Sequence, residues 1–147
     1  MSVSVIILGA ANEATKRSHD SVVVSAGEEV VVSVTQAMWA EVSSAIANTE
    51  NEFIHLMWCS DIVLPSFYGA MTTALSFEKA DYAVCQMLDL ASEDPCVKDV
   101  NDPICSQVIF KKWIAEELGM PDVEILLQRL IAEYRGTSLP HVLCVTG

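Results

Sequence analysis

Two short stretches of this chain carry acids at positions where chemistry could be done. Asp61 closes "WCSD" at residues 58–61, directly after an apolar run, where a strand hands side chains to one edge of a sheet. Asp122 and Glu124 open "PDVEILLQRL" at 121–130, the start of a helical pattern. A single carboxylate such as Asp61 is a weak site for Mg²⁺ or Mn²⁺, since hard cations gather several oxygen ligands, and its ordinary alternative is to cap the turn that follows. Asp94, Asp99 and Asp102 lie near Cys96 and Cys105, but their spacing matches no closed zinc or calcium pattern and reads as a solvated loop. His19, His55 and His141 are dispersed, and His55 alternates within a strand. Lys16 and Arg17 are adjacent bases on the wet side of a helix, where such pairs are ordinary.

The elements that must hold these residues fit in one domain, since 147 residues leave little room for a second core. The hydrophobic fraction is 52% and the mean hydropathy +0.37, more apolar material than an average soluble domain must bury, so part of it is expected at an interface. A net charge of -12 repels phosphate backbones and argues against nucleic-acid binding. The longest uncharged stretch, between Asp61 and Glu78, is interrupted by Pro65, Ser66, Gly69, Thr72 and Thr73 and is too short to span a bilayer. The apolar start "MSVSVIILGAA" lacks the basic residues of a secretory signal and reads as a strand. Five scattered cysteines without a CxxC pair suit free thiols in a reducing compartment, so a cytoplasmic origin, free or inside a particle made there, is expected rather than secretion.

Strands are predicted over 2 to 8, 29 to 34, 52 to 58 and 81 to 88, with helical segments between them over 12 to 24, 37 to 47 and 65 to 77. Short strands alternating with helices predict an α/β fold, a mostly parallel central sheet with these four strands as neighbours. A hairpin around Ala26-Gly27, between the valine runs of "VVVSAGEEVVVS", is the competing reading. Residues 92–103, "SEDPCVKDVNDP", read as an acidic loop or flap. Beyond it come a short strand "SQVIF", a helix "KKWIAEELG" closed by Gly119, and a helix from Pro121 and Asp122 to Gly136 with Val123, Leu127, Leu130 and Tyr134 along one face. "HVLCV" at 141–145 is a last strand.

In order and spacing, these stretches resemble the nucleotide-sugar-dependent glycosyltransferases of family 2, with their Rossmann-like GT-A fold. "SVSVIIL" resembles that family's first strand, "EEVVVS" its second, and "SSAIANTENEFIHLM" the approach to its metal-binding DxD turn. "DIVLPSFYGAMTTAL" resembles the segment after the turn, "NDPICSQVIFKKWIAEELGM" the acceptor-side strand and helix, and "PDVEILLQRL" the catalytic-base helix, with Arg129 where that helix usually has its arginine. The resemblance implies that Ser33, Ser60 and Asp61 face a nucleotide, with Ser33 in place of an aspartate that holds uracil. It puts Trp58-Cys59-Ser60 in the DxD turn, with Asp61 the remaining metal-site carboxylate, and it puts the acidic pair of the base helix on Asp122 and Val123.

Three departures together imply a catalytically degenerate domain, with no cofactor expected and Mg²⁺ or Mn²⁺ needed only in an active form. The expected role is that of a structural or interaction component, as a homo-oligomer or in a larger assembly such as a virion. The N-terminal strand and an apolar edge at Phe67 and Tyr68 are its candidate contacts. Two alternatives stand beside it: a divergent transferase that takes a nucleotide sugar and uses Asp61 with Asp122 or Glu124, and a regulatory subunit that binds a nucleotide without turnover.

Overall fold

A computed structural model describes residues 3–9, 12–25, 30–35, 39–90 and 93–147, with backbone alone over 30–35 and at Trp39. In chain order the elements are β1 (Val3–Leu8), α1 (Glu13–Ser25), β2 (Val30–Thr35), α2 (Trp39–Asn48), β3 (Phe53–Trp58), β4 (Asp61–Val63), α3 (Phe67–Glu78) and β5 (Tyr82–Asp89). They continue with β6 (Cys96–Lys98), a 3₁₀ turn (Cys105–Gln107), β7 (Val108–Lys111), α4 (Lys112–Glu117), α5 (Val123–Glu133) and β8 (Gly136–Thr146). Among the described residues the sheet runs β2-β1-β3-β7-β5-β8-β4, and β6 pairs with the far end of β5.

β1 is buried along its whole length because it lies between two parallel neighbours, Val3 pairing with Val30 on β2 and with Phe53 on β3. Its side chains alternate between two cores. Val3, Val5 and Ile7 join Phe53, Met57, Val22, Phe67, Met71 and Leu75, under α1 and α3. Ile6 and Leu8 join Ile54, Leu56, Val42, Ile46, Phe110, Leu126 and Leu130, under α2 and α5. The result is an α/β/α sandwich with an apolar layer on each face of one sheet. α1 opens at Asn12, whose Oδ1 accepts from the Thr15 N–H at 3.1 Å, and it docks through hydroxyls: Ser18 Oγ donates to the Cys59 carbonyl at 2.7 Å and to the Asp61 carbonyl.

The sheet is mixed, which corrects the expectation of four neighbouring parallel strands. β1, β2 and β3 are parallel, but antiparallel β7 stands between β3 and β5, so the strand predicted over 81 to 88 is not beside that over 52 to 58. Among the described residues the link from β5 to β7 contains no crossover helix, and without one the chain returns antiparallel. β8 then adds parallel to β5, and the short β4 closes the edge antiparallel to β8.

Smaller differences have local causes. The 92–103 segment is not loop throughout: Cys96–Lys98 forms β6, with Asp89 opposite Cys96. The valine run at 22–24 is the end of α1 rather than a hairpin arm, while the glycine turn at 26–27 lies outside the described residues. α5 stops at Glu133, short of Gly136, because Gly136 begins β8 beside Tyr82.

A Cβ at Gly136 would run into the Tyr82 ring, which is itself packed into the second core. Gly136→Ala should therefore lower unfolding stability by about 1–3 kcal/mol through overpacking, read as a drop in urea midpoint with an unchanged slope.

Candidate functional site

The sheet edge that the sequence singles out is formed where β3 ends and β4 begins. β3 delivers Trp58, Cys59 and Ser60 make the turn, and the chain re-enters the sheet at Asp61. The Cys59 N–H donates to the Leu8 carbonyl at 3.0 Å, and a side chain on Gly9, whose φ is +151°, would collide with Cys59.

Asp61 is 1% exposed. Ser106 Oγ donates to its Oδ2, Ser60 Oγ lies 3.5 Å from its Oδ1, and Thr146 supplies a further hydrogen bond. Burial pushes the Asp61 carboxyl above its ordinary value, against the pull of those hydrogen bonds, and the charge of Asp89 adds to the rise. Ser106 is the hub of the neighbourhood. Its Oγ also accepts from the Trp58 N–H at 3.1 Å, and its carbonyl accepts from His55 Nε2 at 2.8 Å. His55 Nδ1 in turn accepts from the Tyr68 hydroxyl at 2.8 Å. His55 is fully buried, stacked on Phe67 at 4.7 Å, and its burial holds it at about 4, below the usual 6.5, although the bond to Ser106 acts the other way.

Beside this knot lies an open cleft of about 280 Å³, walled by Trp58, Lys98, Asp102, Ile104, Glu124 and Leu127. Glu124 reaches it from the first turn of α5. Asp122 does not line it: its carboxylate accepts from the Glu124 N–H at 3.1 Å and caps the helix. Arg129 lies on the exposed side of α5, its Nε 2.7 Å from Glu133.

Of the residues read from the sequence, the fold brings Trp58, Asp102 and Glu124 to one cleft and places Asp61 inside the adjoining wall. Ser60 is exposed in the turn. Ser33 stands opposite Ile6 on the edge strand β2. Phe67 and Tyr68 are corrected from interface to interior: they are 0% and 4% exposed because they pack on His55. The N-terminal strand offers no contact edge either, since β2 and β3 flank it. Asp99 is engaged in its own loop, accepting from Val100 N at 2.7 Å and Asn101 Nδ2 at 3.0 Å, while Cys96 is exposed and Cys105 buried. Lys16, Arg17 and His141 are exposed, and His19 faces Asp20 at 4.0 Å. Ser106 and Lys98 were not singled out from the sequence: Ser106 lies in the stretch that resembles the acceptor-side strand and helix, where no role was assigned to it, and Lys98 lies in the segment read as a loop.

These donors do not fit a hard divalent cation. Asp61 has its oxygens turned to hydroxyls inside the fold, Trp58 and Cys59 offer no oxygen side chain, and no group of three His, Cys, Asp or Glu able to hold a metal exists among the described residues.

No family model matches the sequence, and no curated protein is similar to it. The fold, however, is shared with the glycosyltransferase TarS of S. aureus. The crystal structure of TarS 1-349 superposes with a TM-score of 0.79 at 9% identity, over 99% of this chain and 60% of that one. Its complex with UDP-GlcNAc gives 0.80 at 9% identity over 99% and 58%, and the complex with UDP 0.78 at 10% over 99% and 60%. The chain thus spans about three fifths of the length of these structures, and at such identity the likeness is one of fold.

The neutral His55 sets a pH dependence. The unfolded chain takes up a proton near 6.5 and the folded one only near 4, so stability is complete above about pH 6.5 and falls as pH drops toward 4, by on the order of 3 kcal/mol. Asp61, raised in the fold, works in the opposite sense and offsets part of the loss. Melting temperature should fall between pH 7.5 and about 5, and His55→Gln should flatten or reverse that slope.

Proposed function

We propose, from the fold shared with a glycosyltransferase, that this domain is a catalytically degenerate member of that architecture which works as a protein-interaction component. The observation that carries the reading is the state of Asp61. In a transferase of the resembled kind, the strand-end carboxylate must face a cation that neutralises the diphosphate leaving group. Here it faces Ser106, inside the protein. The base helix supports the same reading, because Asp122 is occupied as a cap and Arg129 is paired with Glu133 on the solvent side. We further propose that no metal cofactor is used.

The interaction role draws on apolar surface left over after folding. Phe77 at the end of α3 is 84% exposed, and Val24 at the end of α1 is 73% exposed, in a chain with 52% hydrophobic residues. Partners are then further copies of the chain or the subunits of a larger assembly, and the net charge of -12 disfavours nucleic acid as a partner. A second reading, a metal-independent transferase, draws on Glu124 and Lys98 lining one cleft, where a base and a cation could meet a nucleotide sugar.

The purified chain, offered UDP-GlcNAc and other nucleotide sugars with Mg²⁺ or Mn²⁺, should show no hydrolysis or transfer above the protein-free rate. Turnover that Glu124→Gln abolishes would overturn the degenerate reading and establish the second one. Sedimentation at micromolar concentration should show association that Val24→Asp with Phe77→Asp weakens. A monomer that binds neither itself nor any co-purifying subunit would remove the interaction role.

A further inference from the structure

Cys85 on β5 and Cys144 on β8 have their Sγ atoms 3.8 Å apart, and both residues are fully buried. Cys144 is opposite Met87, two residues along from Cys85, so the two thiols sit diagonally on one face of the sheet, in the core beneath α3. The ladder is irregular at this point, with register shifts between Cys85 and Gln86 and between Gln86 and Met87.

We propose that Cys85 and Cys144 form an oxidisable pair, a modification site at which an intramolecular disulfide staples β5 to β8. The sulfurs touch without being bonded. A disulfide needs them about 2.05 Å apart, which takes side-chain rotation and a small approach of the strands. Irregular ladder absorbs such a shift more readily than regular pairing does. β8 is flanked by the three-residue β4, with Cys144 opposite Val63, and because both thiols are fully buried an oxidant reaches them only through a local opening. In the closed state the Cys85 thiol and burial together push the Cys144 thiol up, and reaction therefore follows opening. Other thiols are placed differently: Cys105 is in the opposite core, and Cys96 is exposed on β6.

The oxidant is a small disulfide of the glutathione class. The thiolate of one cysteine attacks it, forming a mixed disulfide and releasing one glutathione thiol. The second cysteine's thiolate then attacks the protein-bound sulfur, forming the Cys85–Cys144 bond and releasing the other. Two S–H bonds are lost, the small disulfide accepts both electrons, and the two protons end on the released thiols.

The full-length chain is incubated with oxidised glutathione or with a phosphine reductant, unfolded in denaturant, alkylated and mapped by mass spectrometry. The oxidised sample should yield a Cys85–Cys144 linked peptide lacking two hydrogens, and its melting temperature should exceed that of the reduced sample by about 10 °C. Cys144→Ser should abolish the linked peptide. Because that change touches the core, Cys59→Ser with Cys96→Ser serves as the companion variant and should retain both the link and the shift. Alkylation of both Cys85 and Cys144 after oxidation, links through Cys59 or Cys96 alone, or an oxidised form that melts no higher than the reduced one would each overturn the proposal.

Discussion

A carboxyl group held out of water inside an apolar sheet has to be met by hydrogen-bond donors, and the way Asp61 is met organises the end of this sheet. Burial costs the charged form several kcal/mol, and the donors that offset it come from separate parts of the chain: Ser106 from the 3₁₀ turn before β7, Thr146 from the end of β8, and Ser60 from the turn itself. One side chain thereby ties the β3–β4 turn to the two elements that flank it. Ser106 carries the connection onward, to the Trp58 backbone and, through its carbonyl, to His55 and Tyr68. A network of this kind is stable while every member is satisfied and costly when one is removed. Among the described residues no buried side-chain nitrogen or oxygen lacks a partner.

The same arrangement limits what the neighbouring cleft can do. Its walls are Trp58, Ile104 and Leu127, with Lys98, Asp102 and Glu124 as its charged groups. A hard cation at the turn would have to draw Asp61 out of its hydrogen bonds and uncover Ser106, the link on which His55 also depends. The likeness to TarS is one of fold, and fold does not fix chemistry. In this chain the strand-end acid joins parts of the sheet together.

How much of this could be read from residues alone depended on the distance over which each feature is decided. The strands near 2 to 8 and 52 to 58 were legible because their β-branched and apolar runs are buried on both faces, and α5 was legible from the Pro121-Asp122 start and its apolar spacing. The direction of β7 was not, since "VIF" is the same pattern in a parallel or an antiparallel neighbour. Phe67 and Tyr68 looked like surface aromatics after Pro65-Ser66, and only the register of β3 reveals that His55 lies beneath them. Asp61 was singled out by type and place, but its decisive partner is 45 residues away, in a stretch whose pattern gives a serine no particular role.

We propose that the Asp61 carboxylate, bonded to Ser106 inside the fold, is withheld from metal. Electron paramagnetic resonance of Mn²⁺ titrated into the purified chain, with and without UDP, tests it directly. The full signal of free Mn²⁺ is expected at stoichiometric protein, alike for the natural chain and Asp61→Asn. Stoichiometric uptake of Mn²⁺ by the natural chain, lost in Asp61→Asn, would contradict it.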